Sequence, residues 1–587
     1  MTQTSNDTAF LGVSQSATGR RWCGLSVETD RQSQLIAQQT GLPNAVARTL
    51  ARLGVNEQDA VNYLSPSLRE LMPDPSKLRD METAAARIDL AVTKKQRIAI
   101  FADYDVDGAT SAALLFNWFA ALGHVATIYV PDRIDEGYGP NDAAMLELAA
   151  NHDLIICVDC GTLSHGPIAA VSGTDVIVLD HHLGGETLPD AVAVVNPNRQ
   201  DETGDLGYLC AAGVVFLTLV AINRIRRGAG AHCPDLMSLL DLAALGTVAD
   251  VAPLIGFNRA LVRQGLKIMA KRERVGLAKL GDIAGLKSAP TSYHLGFMLG
   301  PRINAGGRIG KADLGARLLT TTDPHEAEAI ADRLHQLNDE RREIEAEVQL
   351  KAMAQAEERG LDAPLVWAAG EGWHPGVVGI VASRLKESTN RPSVVIGLDG
   401  DEGKGSGRSV SGIDLGAAIA TCAREGVLIK GGGHKMAAGL SVAREQLDVA
   451  MARLSQLLEK QGAGNIGPRD LHLDGVIAPS AITPELIEQL ETCGPFGAGA
   501  PAPRFALPSV SIAFAKRAGQ NHLRLTLADE NGGRIDAIAF GAYDSELGAL
   551  LDDHRGRKFH CAGRLEIDDW GGRRRAKLRL DDAALIT

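Results

Sequence analysis

Aromatic residues and cysteines are scarce in this 587-residue sequence, and long apolar runs are missing. Phe, Trp and Tyr make up 4% of the chain, and its 8 cysteines are scattered along it. Scattered cysteines do not form the disulfide framework of a small secreted protein. The longest apolar stretch, residues 209–222, is shorter than the roughly 18 residues that span a bilayer, and the N-terminal segment lacks the apolar run of a secretory signal. We therefore expect a cytoplasmic protein with no membrane partner.

An excess of positive charge is also missing from the chain as a whole. The formal net charge is −12, which argues against a protein coated with cations for indiscriminate binding to a polyanion. Charge is distributed unevenly, however, because residues 555–579 contain 9 Lys or Arg against 3 acidic residues. An acidic chain with a basic C-terminal region is compatible with binding to nucleic acid.

The length allows about four domains, and the first one with a clear pattern lies in residues 97–198. Five short apolar runs, separated by helical stretches, are typical of a parallel sheet with crossover helices. The runs are residues 98–102, 127–130, 154–158, 176–179 and 191–195. We therefore predict an α/β fold for this part of the chain.

The remaining sequence predicts a long helix, a second α/β unit and a β-rich end. A helix of about 36 residues starts at Asp323-Pro324, with apolar residues at a three-and-four spacing that Arg341 interrupts. Strand patterns and glycine-rich loops at 403–408 and 431–434 follow. Period-two alternation begins after about residue 468, with a hairpin at Asn531-Gly532. The predicted divisions are a polar lead (1–40), an α/β domain (41–322), the connecting helix (323–360), a smaller α/β domain (361–465) and the β-rich domain (468–587).

Acidic residues and histidines gather where the apolar runs end. They are Asp103, Asp105 and Asp107 after the first run, Asp159 after the third, and Asp180, His181 and His182 after the fourth, with Asp250 further along. A single Asp after a strand is usually a cap or a turn residue, but ligands bind at the carboxyl edge of such sheets. Four carboxylates and one imidazole could hold two divalent cations, and hard oxygen ligands favour manganese or magnesium over zinc. Such a centre hydrolyses phosphoesters.

These residues carry a resemblance to a known family. Asp-Tyr-Asp-Val-Asp-Gly at 103–108, Val-Asp-Cys-Gly at 158–161, Asp-His-His at 180–182 and Ala-Asp at 249–250 resemble the four motifs of the DHH phosphoesterases. The segments at 302–308, 374–380 and 431–439 resemble an intervening motif and the DHH-associated domain of the RecJ family of bacterial exonucleases. The β-rich end is similar to the OB domain of that family, so the resemblance covers roughly residues 40–580.

The resemblance implies a function and a set of metal ligands. RecJ proteins are manganese- or magnesium-dependent nucleases that degrade single-stranded DNA from the 5′ end. By resemblance, the ligands of two cations, with manganese expected first, are Asp105, Asp107, Asp159, His181 and Asp250, with Asp159 bridging. His182 would face the phosphate, so that His182, Asp159 and Asp105 form the catalytic set. Asp103 and Asp180 would be ligands or would orient their neighbours. Phe101 stands where some relatives carry a further metal-binding histidine.

Substrate-binding residues are implied in the same way. They are Arg133 and Tyr138, then Arg302, Asn304 and Arg308, and in the second domain Ser406, Arg408, Gly432, Gly433 and His434. Arginine can hold a phosphate through two hydrogen bonds, and tyrosine can stack on a base. Each could instead be a surface cation or a packed ring. In the β-rich domain, Lys516, Arg517, Arg524 and Arg573–Arg575, with Phe505, Phe540, Phe559 and Trp570, suggest an OB surface for single strands.

Two other functions remain as alternatives. A DHH phosphodiesterase acting on short oligonucleotides or cyclic dinucleotides would use the same metal site, but it would not need a basic β-rich domain. A noncatalytic DNA-binding scaffold would have lost metal ligands, and here the set is complete. We expect a monomer that binds single-stranded DNA. A role in DNA repair and recombination, and cooperation with a single-strand binding protein or a helicase, follow from the resemblance alone.

Overall fold

The computed structural model describes residues 9–133, 136–467, 469–568 and 573–586. The chain forms two compact units. The terminal unit consists of Met1–Leu71, Leu254–Ala260 and Gly467–Thr587, and the central unit of Met72–Pro253 and Leu261–Ile466. The domain boundaries predicted from the sequence stay predictions. The units differ from them at the N-terminal side, where residues before Met72 belong with the C-terminal segment.

The first half of the chain is helical at its start and then alternates strands with helices. Its elements are β1 (Arg21–Cys23), α1 (Val27–Thr40), α2 (Asn44–Arg52), α3 (Ala60–Leu64), α4 (Leu68–Leu71), α5 (Met81–Thr93), β2 (Ile98–Ala102), α6 (Val106–Ala121), β3 (Ala126–Tyr129), α7 (Asp142–Asn151), β4 (Leu154–Val158), α8 (His165–Ala169), β5 (Asp175–Leu179), β6 (Ala193–Val195), α9 (Ala211–Gly228), α10 (Leu240–Ala249), α11 (Gly256–Met269) and α12 (Val275–Ile283).

The second half begins with helices and ends in strands. Its elements are α13 (Ser292–His294), a π-helix (Leu295–Leu299), α14 (Gly300–Ile309), α15 (Leu314–Thr320), α16 (Pro324–Arg359), β7 (Val366–Glu371), α17 (Pro375–Thr389), β8 (Ser393–Asp399), β9 (Glu402–Arg408), α18 (Leu415–Arg424), β10 (Lys430–Gly433), β11 (Ala437–Ala443), α19 (Leu447–Lys460), β12 (Asp470–His472), β13 (Gly475–Val476), α20 (Pro484–Glu491), β14 (Phe505–Ala518), β15 (His522–Ala528), β16 (Arg534–Ala539), α21 (Glu546–Asp552), β17 (Phe559–Asp568) and β18 (Arg575–Leu585).

The first sheet of the central unit is parallel, which confirms the predicted fold. Its strands lie in the order β3-β2-β4-β5-β6, and every neighbouring pair is parallel. Strands β2 and β4 are buried along their whole length, because helices cover both faces of such sheets. Helix α6 begins at Val106, because Asp105 caps it.

The long helix is confirmed at its predicted position. Helix α16 has 36 residues, and Asp323 caps its first turn by accepting a hydrogen bond from the amide of His325. The charged residue that interrupts its apolar spacing, Arg341, is nonetheless buried. Its guanidinium donates to Glu345 at 2.8 Å and to the side chain of Asn338 at 3.1 Å. An ion pair therefore replaces apolar packing at this point of the helix.

The second sheet of the central unit has the order β10-β11-β9-β8-β7. Its glycine-rich stretches at 403–408 and 431–433 lie in strands β9 and β10, although the sequence suggested loops. The reason is close packing, which glycine alone permits. A Cβ at Gly405 would lie 2.7 Å from Cγ1 of Ile396, and one at Gly407 would lie 2.7 Å from Cδ2 of Leu415.

The C-terminal segment forms a five-stranded barrel in the terminal unit. The sheet has the order β13-β14-β15-β16-β18-β17, and a further pairing of β14 with β17 closes its last five strands into the barrel, with β13 paired to β14 outside it. The hairpin predicted at Asn531-Gly532 connects β15 to β16. In the same unit, β1 pairs in parallel with β12. Among the described residues, no helix is long and apolar enough to cross a membrane.

Candidate metal centre and phosphate-binding residues

Three acidic residues stand side by side at the carboxyl edge of the parallel sheet. Asp103, Asp159 and Asp180 directly follow β2, β4 and β5. Each residue adds one more backbone hydrogen bond to the sheet beyond the end of its strand. The amides of Asp103, Asp159 and Asp180 donate to the carbonyl oxygens of Val158, Leu179 and Val195, respectively. The backbone therefore fixes the spacing of the three side chains, and all three are buried.

Helix α6 supplies two further acids from its N-terminus. Asp105 caps the helix, and its Oδ1 accepts hydrogen bonds from the amides of Asp107 and Gly108. Both oxygens of Asp107 accept hydrogen bonds from the first amides of α9, at 2.7 and 2.9 Å. Gly246 makes room for this carboxylate, because a Cβ there would lie 2.9 Å from Oδ1 of Asp107. The first turns of two helices thus hold the two acids in place.

His181 lies at the middle of the acidic cluster. Its Nε2 is 3.3 Å from Oδ1 of Asp159 and 3.8 Å from Oδ2 of Asp107, and its Nδ1 is 3.9 Å from Oδ2 of Asp250. Ligand atoms come within 4.8 Å of one another in three groups: Asp159, His181 and His182; Asp107, Cys210 and Asp250; and Asp103, Asp105 and Asp159. The structure therefore brings together all five predicted metal ligands, which we call the metal centre. Their role as ligands stays a prediction.

The electrostatics of these acids fit a bound cation. Burial first, and then neighbouring carboxylates, raise the pKa of Asp103, Asp107 and Asp159. Burial and Asp107 likewise raise the pKa of Asp250 to about 9. Oδ1 of Asp103 and Oδ1 of Asp159 are buried and accept no hydrogen bond from a described residue. Buried carboxylate oxygens without partners need compensation, and hard divalent cations prefer such ligands.

His182 belongs to a hydrogen-bond network beside this cluster. Its Nδ1 lies 2.8 Å from Oδ1 of Asp180, and the hydroxyl of Tyr138 lies 3.1 Å from the same nitrogen. Burial would lower the pKa of His182, but the hydrogen bond with Asp180 and the negative charges of Asp180, Asp103 and Asp105 together outweigh burial and raise that pKa to about 9. Burial would raise the pKa of Asp180, and the hydrogen bonds from His182 and Thr162 instead lower it. Asp180 therefore orients His182.

Several residues of this network were missed by the sequence reasoning. The side chain of Asn196 donates to the carbonyl oxygen of His182, and that of Asn198 donates to the carbonyl oxygen of His181. A signal was present, because Asn196 directly follows β6, the last of the five parallel strands that end at this edge. Cys210 was also missed, although its sulfur belongs to one of the three groups of ligand atoms.

Helix α14 links the predicted motif at 302–308 to the metal centre. The side chain of Asn304 accepts a hydrogen bond from the amide of Val106, at the start of α6. Burial and the charges of Arg133 and Arg341 lower the pKa of Arg308 to about 10. Arg133 lies over the ring of Tyr104 at 5.1 Å. Arg302 has a different position, since it donates to the carbonyl oxygen of Met298 and to Nδ1 of His335.

The second sheet contributes a further arginine. Arg408, at the end of β9, donates to the hydroxyl of Ser406 at 2.9 Å. Burial, and then the charge of Arg133, lower the pKa of Arg408. Arg133 is therefore near enough to Arg308 and to Arg408 to repel each of them, and we call the three residues the arginine cluster. Such repulsion is relieved by an anion.

The predicted glycines and histidine of 432–434 lie on the hairpin beside Arg408. Residue Ala437 of β11 is the partner of Arg408 in the sheet. Gly433 has a φ of +146°, and a Cβ there would lie 2.5 Å from Cα of Ala438, so another residue would be strained. His434 is exposed. The structure thus places this hairpin next to Arg408 and leaves its role as a prediction.

Three family models match the chain. The DHH family N-terminal domain matches residues 97–247, the DHHA1 domain 362–460, and the RecJ OB domain 473–582. The single-stranded-DNA-specific exonuclease RecJ of Dickeya dadantii is 36% identical over 561 residues, which cover 92% of this chain and 96% of the relative. The chain belongs to the RecJ family. The metal centre therefore lies in its DHH domain, and Ser406 and Arg408 lie in its DHHA1 domain.

Two crystal structures of RecJ from Thermus thermophilus resemble the structure of this chain. The structure in complex with Mn²⁺ has a TM-score of 0.80 at 30% sequence identity, covering 96% of this chain and 79% of that one. The structure in complex with Mg²⁺ has a TM-score of 0.74 at 28% identity, covering 96% and 78%. Structures of this fold and family thus hold the two metals that the donor set favours.

The RecJ OB domain presents cations and aromatic rings on the outside of its barrel. Lys516 pairs with Arg524 across β14 and β15, and Ile538 lies between Arg524 and Arg579 on the neighbouring strands. The guanidinium of Arg579 lies 5.3 Å from the ring centre of Phe540. The exposed residues Phe514, Lys516, Arg524 and Phe540, with half-buried Arg579, are called the barrel face.

The aromatic residues predicted for this surface divide into two groups. Phe540 is 50% exposed, whereas Phe505 and Phe559 are buried in the barrel core, so the prediction that these two could stack on bases is wrong. Their side chains occupy inward-facing positions of β14 and β17. Phe514 is 50% exposed and was missed. Trp570 lies outside the described residues, Arg517 lies over the ring of Tyr543, and Arg574 pairs with Glu488.

Proposed function

We propose that this chain is a single-stranded-DNA-specific exonuclease that hydrolyses phosphodiester bonds with divalent cations. One observation carries the proposal: four buried or half-buried acids and His181 converge at the carboxyl edge of the parallel sheet, with carboxylate oxygens that lack partners among the described residues. The arginine cluster is close enough for the charge of Arg133 to act on Asp103. Anion-binding groups therefore lie beside cation-binding groups, as phosphodiester hydrolysis requires.

Two cations, manganese first and magnesium as the alternative, would be held by Asp105, Asp107, Asp159, His181 and Asp250, with Asp159 shared between them. This assignment is supported by the membership of Asp159 in two of the three groups of ligand atoms. Bound cations would supply an activated water and would neutralise charge on the attacked phosphate. Asp103 is a candidate for a further ligand, and Asp180 acts through His182.

The side chains around the cations would position the substrate. His182 is fixed by Asp180 through Nδ1, so that Nε2 can face a phosphate oxygen. Tyr138 donates a hydrogen bond to the carbonyl oxygen of Asp159 at 3.1 Å and would restrict the space for the nucleotide. The arginine cluster, with Ser406 and the hairpin at 432–434, would hold phosphates on the DHHA1 side. Arg302 and Asn304 would complete the substrate-binding set.

Further features of the function are proposed from the family alone. They are digestion from the 5′ end, a role in DNA repair and recombination, and cooperation with a single-strand binding protein and a helicase. Backbone contacts by arginines would make digestion tolerant of sequence, and the barrel face would bind the single strand through charge and stacking. We propose that the enzyme acts as a monomer.

End-labelled DNA tests the proposal. Two single-stranded oligonucleotides, labelled at opposite ends, and a blunt duplex are incubated with Mn²⁺ and either the wild-type protein or Asp159→Asn. Asparagine is the better substitution because Asp159 has a φ of +60°, a conformation that Asn tolerates and Ala does not. We expect mononucleotides from the 5′ end of single strands only, and none with the variant. Digestion of dinucleotides alone would identify a small-substrate phosphodiesterase, and binding without digestion would identify a scaffold.

A further inference from the structure

Two aromatic rings are stacked on the surface of the central unit, outside the metal centre, the arginine cluster and the barrel face. Tyr293 and Phe297 have ring centres 5.1 Å apart and an interplanar angle of 25°. They are 52% and 70% exposed, in a chain with 4% aromatic residues. Exposure of two adjacent large rings is unfavourable in water unless something covers them. We call this pair the aromatic platform.

The platform is built on a rigid and unusual segment. Phe297 lies in the π-helix Leu295–Leu299, and π-helices occur mostly as short insertions, frequently at functional sites. The segment is fixed at its start, where the backbone amide of Thr291 donates a hydrogen bond to Nδ1 of His294 at 3.0 Å. A rigid ring loses little entropy when a ligand stacks on it.

The segment packs against the helix that leads to the metal centre. A Cβ at Gly296 would lie 3.4 Å from Cγ1 of Val248, and a Cβ at Gly300 would lie 3.5 Å from Cβ of Ala249. These two residues of α10 directly precede Asp250, the C-cap of that helix and one of the predicted ligands. The segment that carries the platform therefore packs against the two residues that precede Asp250.

A cation lies beside the platform. The guanidinium of Arg302 donates a hydrogen bond at 2.7 Å to the carbonyl oxygen of Met298, the residue after Phe297. This contact holds the guanidinium of Arg302 next to the segment that carries the platform. A base on the rings and a phosphate at the guanidinium would match one nucleotide of a single strand, because every base has a face that stacks on aromatic rings.

We propose that Tyr293 and Phe297 stack on an unpaired base of the single-stranded substrate, on the Asp250 side of the metal centre. This inference rests on the proposed exonuclease function. Because paired bases are covered by their neighbours in a duplex, the platform would add to the selectivity for single strands. It would act on binding of a strand long enough to reach it, and it would take no part in the hydrolytic step.

Fluorescence of 2-aminopurine tests the platform directly. The base analogue is placed at successive positions of a single-stranded oligonucleotide, and binding is measured in EDTA so that no cleavage occurs. The variants are Phe297→Ala, Phe297→Tyr, which keeps a ring, and Leu350→Ala, which removes an apolar side chain of similar exposure from α16 (74% exposed). Quenching is compared position by position with the wild-type protein, and circular dichroism verifies the fold of each variant.

We expect quenching at one or two adjacent positions to disappear in Phe297→Ala and to persist in the other two variants. The Kd of Phe297→Ala should be about 10-fold higher. An unchanged pattern and Kd in Phe297→Ala would overturn the platform. Digestion of single strands by the wild-type protein, measured separately, distinguishes failure of the platform from failure of the proposed exonuclease function. If the wild-type protein digests DNA and the variant binds normally, the platform alone fails, whereas a wild-type protein that neither binds nor digests single strands refutes both.

Discussion

The metal centre of the DHH domain and the barrel face of the OB domain expose their functional groups to very different degrees. Asp107 and Asp159 are 1% exposed, and backbone ladders and helix amides hold the acidic cluster. Lys516 and Arg524 are exposed on strands whose inward side chains, such as Leu523 and Leu525, form the core. At the metal centre the functional residues are buried in the protein interior, whereas on the barrel face they lie outside the hydrophobic core.

This difference sets how each region should respond to substitution. Buried acids without partners oppose folding and are retained for function, so function and stability conflict at the metal centre. On the barrel face, each cation contributes a small, screened term to binding and almost nothing to folding. Substitutions should therefore have all-or-none effects on activity in the first region and graded, salt-dependent effects in the second.

The largest effect is expected for Asp159→Asn. Loss of the shared ligand should lower exonuclease activity at least about 1000-fold and abolish stabilisation of the protein by Mn²⁺. The metal-free variant should nevertheless unfold with a free energy that is higher by about 1 kcal/mol, because burial and neighbouring carboxylates disfavour an ionised carboxyl group at this position. Activity assays and thermal unfolding with and without Mn²⁺ measure both.

Glu147→Gln on α7, an exposed site, is the matched control and should change neither quantity. Asp159→Ala should be less stable than Asp159→Asn by about 1 kcal/mol, because alanine is strained at a φ of +60°. If metal-free Asp159→Asn were less stable than the wild-type protein, function and stability would not conflict at the metal centre.

A smaller loss is expected for Arg408→Gln in the DHHA1 domain. Removal of a charge-assisted phosphate contact costs roughly 1.5–3 kcal/mol, so kcat/KM for single-stranded DNA should fall about 10- to 100-fold. Lys404→Gln, on the same strand but exposed, is the control. Steady-state kinetics decide the matter, and equal losses in both variants would show that general charge, and not the arginine cluster, is responsible.

The sequence predicted the metal centre well because strand ends dictate it. Asp103, Asp159 and Asp180 each follow a continuous apolar run, and the backbone ladder leaves little freedom for their positions. By contrast, β9 and β10 were read as loops, since glycine has a low strand propensity. Their close packing against Ile396 and Leu415 depends on distant parts of the chain, which no local pattern reveals.

The same limit applied to individual side chains. Alternation along a continuous strand would place Cys157 and Cys160 on opposite faces, yet both pack in one hydrophobic cluster, because β4 ends at Val158 and Asp159 has a φ of +60°. Phe505 and Phe559 were assigned to the surface by their proximity to cations in sequence. Their inward direction depends on the register of the barrel, which the sequence alone did not show.

The barrel face should respond through salt dependence. In Lys516→Gln/Arg524→Gln, the slope of log Kd for single-stranded DNA against log salt should decrease by about 0.7 for each lost phosphate contact, and binding should weaken about 10-fold at low salt. Release of mononucleotides at saturating DNA should be unchanged. Arg555→Gln, which removes one exposed charge from the basic C-terminal region, serves as the control in titrations at several salt concentrations, and an identical slope for the double variant would exclude this face from DNA binding.

The smallest effect on activity is expected from a pair of phenylalanine substitutions in the same barrel. Phe540→Leu removes an exposed ring and should weaken binding of single-stranded DNA about 3-fold, since stacking is lost and apolar area is partly kept, without a change in stability. Phe505→Leu alters the core and should lower the free energy of unfolding by about 1 kcal/mol while the folded protein binds DNA as before. Equilibrium binding and urea unfolding of both variants give the four values. If Phe505→Leu weakened binding at temperatures where the protein is folded, the barrel face would depend on its core, and the separation of function from packing in this domain would be wrong.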